Sequence, residues 1–405
     1  VKPSSDIDLN VVPQSVRSLF TDEHAELLLT IRRDLHRHPE LSGQEHRTAD
    51  TLAAELAKLP AVEVNRVAGT GIVARIPGAD SANPTVAIRG DIDALPIDEE
   101  TGLSWASENP GVMHACGHDV HATWALAAAG LLTAAPAAGD VLVVFQPAEE
   151  IGVGAKAILE SGALDDIKAM FGGHVDRRFA VGEVVVQAGP LAAASDLFEI
   201  ELVGCAAHGG RPHEGVDPIV ATGALISALQ SIVARRINPA WPAVVSIGKV
   251  HAGNALNIIP ERSLVAGTIR TADQTVRDQV HTEMKRVAEG IAAAHGVEAT
   301  VQITPGAPPV VNTEKGAAWA RLGSAAVLDD ENIVPLGYAN MASEDFGWYL
   351  QRTDGCFMRI GAREDGGEFI PGHAPNFLAA DGCIFIGAAV LAESARAASE
   401  ALSNA

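Results

Sequence analysis

Aromatic side chains are scarce in this chain, 4% of 405 residues, and cations are outnumbered: 29 Lys and Arg stand against 51 Asp and Glu, a net charge of −22 at pH 7. Such a balance repels polyphosphate and anionic headgroups, which argues against nucleic acid or a membrane as partner. Cysteine is equally sparse. Cys116, Cys205, Cys356 and Cys383 are far apart and form no CxxC, so neither a disulfide framework nor a zinc ribbon is expected. No uninterrupted apolar run approaches the roughly 18 residues that span a bilayer, and the first twenty residues carry neither the h-region nor the cleavage pattern of a signal peptide. The expectation from these absences is a soluble, cytoplasmic protein. What is present is 47% hydrophobic and 20% charged, enough to fold, and the length suggests two or three domains.

Local patterning gives an α/β order. Thr21 can cap a helix carrying Leu27, Ile31 and Leu35, and a second helix over Gln44 to Leu59 stops at Pro60. Short apolar runs at Gly71 to Ile76, Thr85 to Ile88, Val141 to Phe145 and Ala169 to Phe171 read as strands, with helices over Thr123 to Ala134 and Ala155 to Leu159 between them. From about Ala194 the pattern becomes βαββαβ, the order of a ferredoxin-like unit, whose second helix shows Val276, Val280, Met284, Val287 and Ile291 on one face. The Pro- and Gly-rich stretch PGAPPV then returns the chain to α/β sequence. The expected organisation is a catalytic domain over 1–193 and 305–405 with an inserted domain over 194–304.

Three strand candidates run straight into polar clusters: TVAI into RGDIDALP, VLVVF into QPAEE, and AMF into GGHV. Sites in open α/β sheets form beyond the carboxyl ends of strands, so these clusters should converge. The densest cluster is HACGHDVH, which places His114, Cys116, His118, Asp119 and His121 within eight residues. Thiolate, imidazole and carboxylate are transition-metal donors, and burying them unpaired is costly. Spacing alone leaves open which of them bind. The adjacent Glu149 and Glu150 repel each other unless a cation separates them. One then ligates and the other stays available as a base. His174 and His373 add imidazoles, giving donors enough for two ions. In the insertion, His208, His213, Asn254, Asn257 and Arg270 offer hydrogen-bond donors of the kind a closing lid brings to an oxyanion.

The ordered motifs LHRHPELSGQE, RGDIDALP, HACGHDVH, FQPAEE, GGHV, AHGGRPHEGVDPI, NALNIIPE, MASEDF and GHAPNF resemble those of the metal-dependent amidohydrolases that include hippurate hydrolase, bacterial aminoacylases and plant indole-acetyl-amino-acid hydrolases. The resemblance runs from about Arg32 to Leu391. It implies a zinc-peptidase-like catalytic domain with an inserted ferredoxin-like lid. It further implies two divalent metal ions, zinc or manganese with cobalt or nickel allowed, bridged by Cys116 and completed by His118, Glu150, His174 and His373. Glu149 is then the general base and His208 the lid histidine that supports the oxyanion, sometimes supplied by a partner subunit. Asn257 and Arg270 would face the substrate carboxylate, while Asp91, Asp93 and Asp119 would stand behind the ligands. The implied reaction is hydrolysis of a small N-acyl amino acid to a carboxylate and a free amino acid, and the resemblance allows a homodimer through the lid. The chain departs from the pattern at Cys205 in place of a lysine, Gly372 in place of Leu and Ala374 in place of Ser, positions that shape the pocket. A dipeptidase or carboxypeptidase, or a binding relative without catalysis, are the alternatives.

Overall fold

The computed structural model describes residues 11–337 and 341–405. These fall into two compact units, one built from 11–189, 312–337 and 348–405, the other from 190–311 and 341–347.

The first unit is organised on a seven-stranded mixed sheet. Its strands are β1 (Glu63–Val67), β2 (Gly71–Ile76), β3 (Val86–Asp91), β4 (Val141–Gln146), β5 (Ala169–Ala180) and β6 (Val184–Val185), joined by a late strand, Asp354–Arg363. The spatial order is β1, β2, β4, β3, β5, the late strand, β6. β3 lies parallel to both β4 and β5, and β5 is parallel to the late strand. β3 and β4 are buried along their whole length, as a strand covered on both faces must be, which is why each reads as an unbroken apolar run with polar residues only at its end.

Two apolar helices supply much of this core: His118–Ala134 and Gly382–Ser403. The latter, and Pro218–Arg236 in the second unit, are long and apolar enough by composition to cross a membrane. Gly382–Ser403 is mostly buried in the core, and Pro218–Arg236 buries Ala221, Leu225, Leu229 and Ile232 in the second unit's core. The first long helix, Asp22–Arg37, is capped by Thr21, whose side chain accepts the amide of His24. Its buried residues are Ala25, Leu28, Leu29, Ile31, Arg32, Leu35 and His36, so Ile31 and Leu35 of the expected stripe are buried while Leu27 lies outside it and is exposed.

The second unit is ferredoxin-like: strand Ala194–Val203, helix Pro218–Arg236, strands Ala243–Ala252 and Arg262–Thr271, helix Gln274–His295 and strand Glu298–Pro305. The sheet order is second, third, first, fourth, all antiparallel. Residues 306–311 and 341–347, expected in the catalytic part, pack with this unit. Ser195 donates to the carbonyl of Ala307 and Ala193 to that of Ala342, which extends the unit past its last strand.

Candidate metal centre

The parallel strands β3 and β4 end side by side, Asp91 opposite Gln146, while β5 runs on past them, and the three deliver acidic or imidazole groups: Asp91 at the end of β3 and Asp93 after it, Glu149 and Glu150 after β4, and His174 on β5. His174 lies inside its strand, which runs nine residues further than the apolar run AMF suggests. The helix expected from Thr123 begins at His118, so the densest donor cluster is itself the helix start. Gly117 makes that turn at φ 86, a left-handed conformation that glycine adopts freely.

His118 is fully buried, and its Nδ1 donates to the carbonyl of Asp93 at 2.9 Å and to the Asp93 carboxylate at 3.1 Å. That fixes the ring and turns Nε2 toward Glu150 Oε1 at 3.7 Å and Glu149 Oε2 at 4.0 Å. Neither His118 Nε2 nor Glu150 Oε1 has a hydrogen-bond partner among the described residues, although both atoms are buried. His174 repeats the arrangement: Nδ1 donates to the carbonyl of Val175 at 2.7 Å, and Nε2 points to the sulfur of Cys116 at 3.2 Å. His373 brings Nε2 to 3.5 Å from Glu150 Oε2.

Among the described residues of the first unit, four triples of donor atoms have their ligand atoms within 4.8 Å of one another: Cys116/His118/His174, Cys116/Glu150/His373, His118/Glu149/Glu150 and Asp91/His118/His121, the first two built on the Cys116 thiol. Ligands of one zinc ion, each roughly 2.0–2.3 Å from it, stand about 3–4 Å apart, so donors of this chemistry at these separations fit divalent cations.

Charge supports the same conclusion. Burial and the neighbouring Glu150 push the Cys116 thiol up, and burial likewise raises Glu150 against the pull of His118 and His373. Burial would lower His118, yet Asp91, Asp93 and Cys116 hold it well above the usual imidazole range. A proton thus occupies the place of positive charge. A divalent cation there would turn the thiol into a thiolate and relieve the carboxylates together. His174 is held neutral by burial and by His121 and Arg359, as a ligand must be.

Asp93 sits behind His118, its other oxygen taking the hydroxyl of Ser42 at 2.7 Å and the amide of Glu150 at 3.0 Å. Burial alone would raise Asp91, but Arg89, His118 and His121 hold it well below the usual carboxylate range. Asp119 turns away from the donor set and accepts from Arg32 at 3.1 Å and from His36 at 3.0 Å. His36 also contacts Glu99 at 3.2 Å. Three residues of LHRHPELSGQE therefore brace the site. His36 holds Asp119, Ser42 holds Asp93, and Glu45 accepts the amide of Ala148 at 2.9 Å just before the glutamate pair. The motif is visible in the sequence, but nothing in its spacing says that it reaches three different loops.

In the second unit, His208 pairs with Ile258, and the Gly209 amide donates to the carbonyl of Asn257, so His208 and Asn257 are neighbours. Arg270 is not with them. The pair leaves the sheet where Arg262 faces Val203, whereas Arg270 faces Ser195. Eight residues of strand separate Arg262 from Arg270, roughly 26 Å at about 3.3 Å per residue.

The sequence model of peptidase family M20/M25/M40 matches residues 87–397. The N-acetyl-L-cysteine deacetylase of Bacillus subtilis is 41% identical over 342 residues, covering 84% of this chain and 81% of the relative. Thermostable carboxypeptidase 1 of Saccharolobus solfataricus is 35% identical over 377 residues, 90% of this chain and 94% of the relative. The crystal structure of the Bacillus subtilis YXEP protein, a dinuclear metal binding peptidase, superposes with a TM-score of 0.82 at 37% identity, covering 93% of this chain and 98% of that one.

Proposed function

The chain belongs to peptidase family M20/M25/M40, and from that premise we propose that it is a hydrolase of N-acyl amino acids, releasing a carboxylate and a free amino acid. One observation carries this reading: of two adjacent glutamates only Glu150 joins Cys116 in a triple, while Glu149 groups in the same unit with His118 and Glu150, 4.0 Å from the His118 nitrogen, beside the thiol-containing triples rather than in them. Cys116, His118, Glu150, His174 and His373 would hold two divalent ions, which when bound supply Lewis acidity toward water and the substrate carbonyl.

Glu149 takes a proton from the attacking water and returns it to the amide nitrogen as the C–N bond breaks. His208 supplies a hydrogen bond to the carbonyl oxygen, and Asn257 and Arg270 bind the substrate carboxylate. Because these groups lie at opposite ends of one sheet, a small substrate meets both only if two chains contribute. That favours a homodimer through the inserted unit, and the exposed apolar side chains of Val250, Leu256 and Ile258 on that unit are surface a partner would cover. The N-acetyl relative supports a small acyl group, and the carboxypeptidase relative keeps peptides as the second reading.

The test is Glu149→Gln assayed on N-acetyl amino acids, hippurate and dipeptides after loading with zinc, manganese or cobalt. The wild-type chain should turn over the acyl amino acids best. The variant should keep both metals and lose about 10²–10⁴-fold in kcat. Full turnover by a metal-replete variant would remove Glu149 from this role, and preference for dipeptides would move the chain to the second reading.

A further inference from the structure

His121 is the last histidine of HACGHDVH, one turn after His118 on the same helix and fully buried. It belongs to neither Cys116 triple. Both of its ring nitrogens are engaged. Nδ1 meets Asp91 Oδ1 at 2.6 Å, and Nε2 meets the backbone amide of Val175 at 3.0 Å. A backbone N–H only donates, so Nε2 carries the lone pair and the proton sits on Nδ1, donated to Asp91. No lone pair remains for a cation.

The partner at Nε2 is the informative one. Pairing between β3 and β5 stops at Arg89 and Gly172, and Val175 lies three residues beyond. His121 accepts its amide there in place of a strand partner. The carbonyl of the same Val175 takes the proton of His174 Nδ1 and so aims His174 Nε2 at Cys116.

The rest of the packing removes play from this linkage. Trp124 stacks on the His121 ring, centroids 4.4 Å apart and planes 22° from parallel. A Cβ on Gly90 would stand 2.3 Å from the His121 carbonyl oxygen, so the helix rests directly on β3. A Cβ on Gly117 would stand 2.6 Å from the Val175 side chain. At the far end Arg89 donates to Asp91 at 2.6 Å. The result is a continuous rigid path from Arg89 through Asp91, His121 and Val175 to His174.

We infer that His121 is a positioning residue: through Val175 it sets where His174 presents Nε2, and thereby the affinity of the Cys116/His118/His174 cation site relative to the Cys116/Glu150/His373 site. The inference rests on the two-cation reading above.

Zinc titration of the chelator-treated full chain tests it, followed by calorimetry, with cobalt absorption of the thiolate as a second readout. His121→Asn keeps a donor for Asp91 and loses the acceptor for Val175, whereas His121→Gln can carry an amide oxygen to the Nε2 position. In a His373→Ala background, where the His174 site remains, His121→Asn should weaken zinc binding about 10–100-fold. In a His174→Ala background it should change binding less than threefold, and His121→Gln should recover much of the loss. Equal weakening in both backgrounds, or none in either, overturns the inference, since a role in folding alone has no reason to favour one site.

Nitrogen NMR of the histidine-labelled wild-type chain needs no variant to fold. The His121 signal should show a proton on Nδ1 and an acceptor Nε2, unchanged on zinc loading, and a zinc-induced shift at Nε2 to a coordinated value overturns the inference. Wild-type uptake of fewer than two zinc equivalents sinks the two-cation reading and this inference with it. Two equivalents with unselective His121 variants sink this inference alone.

Discussion

The backbone amide of His373 donates to the carbonyl of Ala115 at 2.8 Å, which ties the last donor of the chain to the residue before Cys116. His373 holds this position at φ 66, a region that residues other than glycine enter at a cost. His373→Gly and His373→Ala should therefore lose the same metal equivalent, yet differ in the stability of the metal-free chain. Glycine should be favoured by about 1 kcal/mol. Denaturant unfolding of the two chelated variants measures the difference, and an alanine variant at least as stable as the glycine one contradicts it.

Zinc uptake should release protons. Cys116 is held protonated by burial and Glu150, and His118 carries a proton through Asp91, Asp93 and Cys116. Both must give it up to ligate, so roughly two protons should leave near pH 7. Calorimetry in buffers of different ionisation enthalpy counts them. Cys116→Ser should release about one fewer, and proton-neutral binding would show that the site does not begin in this charge state.

Stability should depend on pH through His36. Burial alone would lower it, but Asp119 and Glu99 raise it to about 9 from 6.5. A folded-state pKa above the unfolded one stabilises fully below pH 6.5, and the contribution fades as pH rises through 9. It amounts to about 3 kcal/mol at about 1.4 kcal/mol per unit. The stability gap between the wild-type chain and His36→Gln should accordingly shrink from pH 6 to pH 9.5. A gap that widens over this window reverses the assigned sign.

In the inserted unit the sign is opposite. Asp196 accepts from Arg277 at 3.0 Å, His281 at 2.6 Å and the Gly306 amide at 3.1 Å. Burial would raise its pKa, but these partners lower it to about 2 from 3.8. Its stabilisation is present above pH 3.8 and lost as pH falls toward 2. Asp196→Asn should lower the melting temperature at pH 7 and matter progressively less in acid, as scanning calorimetry would record.

Glu45 accepts the amide of Ala148, which sits at φ 52 next to Glu149. Glu45→Gln weakens a charge-assisted bond, so kcat should fall about tenfold while both metals and KM are kept. Loss of metal with undiminished kcat per bound ion would place Glu45 elsewhere in the economy of the site.

The α/β order, the βαββαβ insertion and the strand-end clusters were all legible because buried strands and amphipathic helices impose their periods on the chain. What stayed hidden was contact between distant segments. AMF marks only the doubly covered start of β5. Past Gly172 the strand loses β3 and alternates in burial, so its length, and His174 inside it, left no apolar run to read. His121 looked like one more donor in HACGHDVH, and only the amide of Val175, 54 residues away, distinguishes it from a ligand. The resemblance pairs Asn257 with Arg270, and only strand register shows that they lie at opposite ends of the sheet.

The strand Asp354–Arg363 lies between β5 and β6 in the sheet, although the whole inserted unit precedes it in the chain. During synthesis the first four donors therefore leave the ribosome beside a sheet with a gap in it. The fifth, His373, follows about 200 residues after His174, a spacing fixed by the numbering. The proposed donor set is therefore complete only after the inserted unit has been made, and a product cut before His373 should compete poorly for metal.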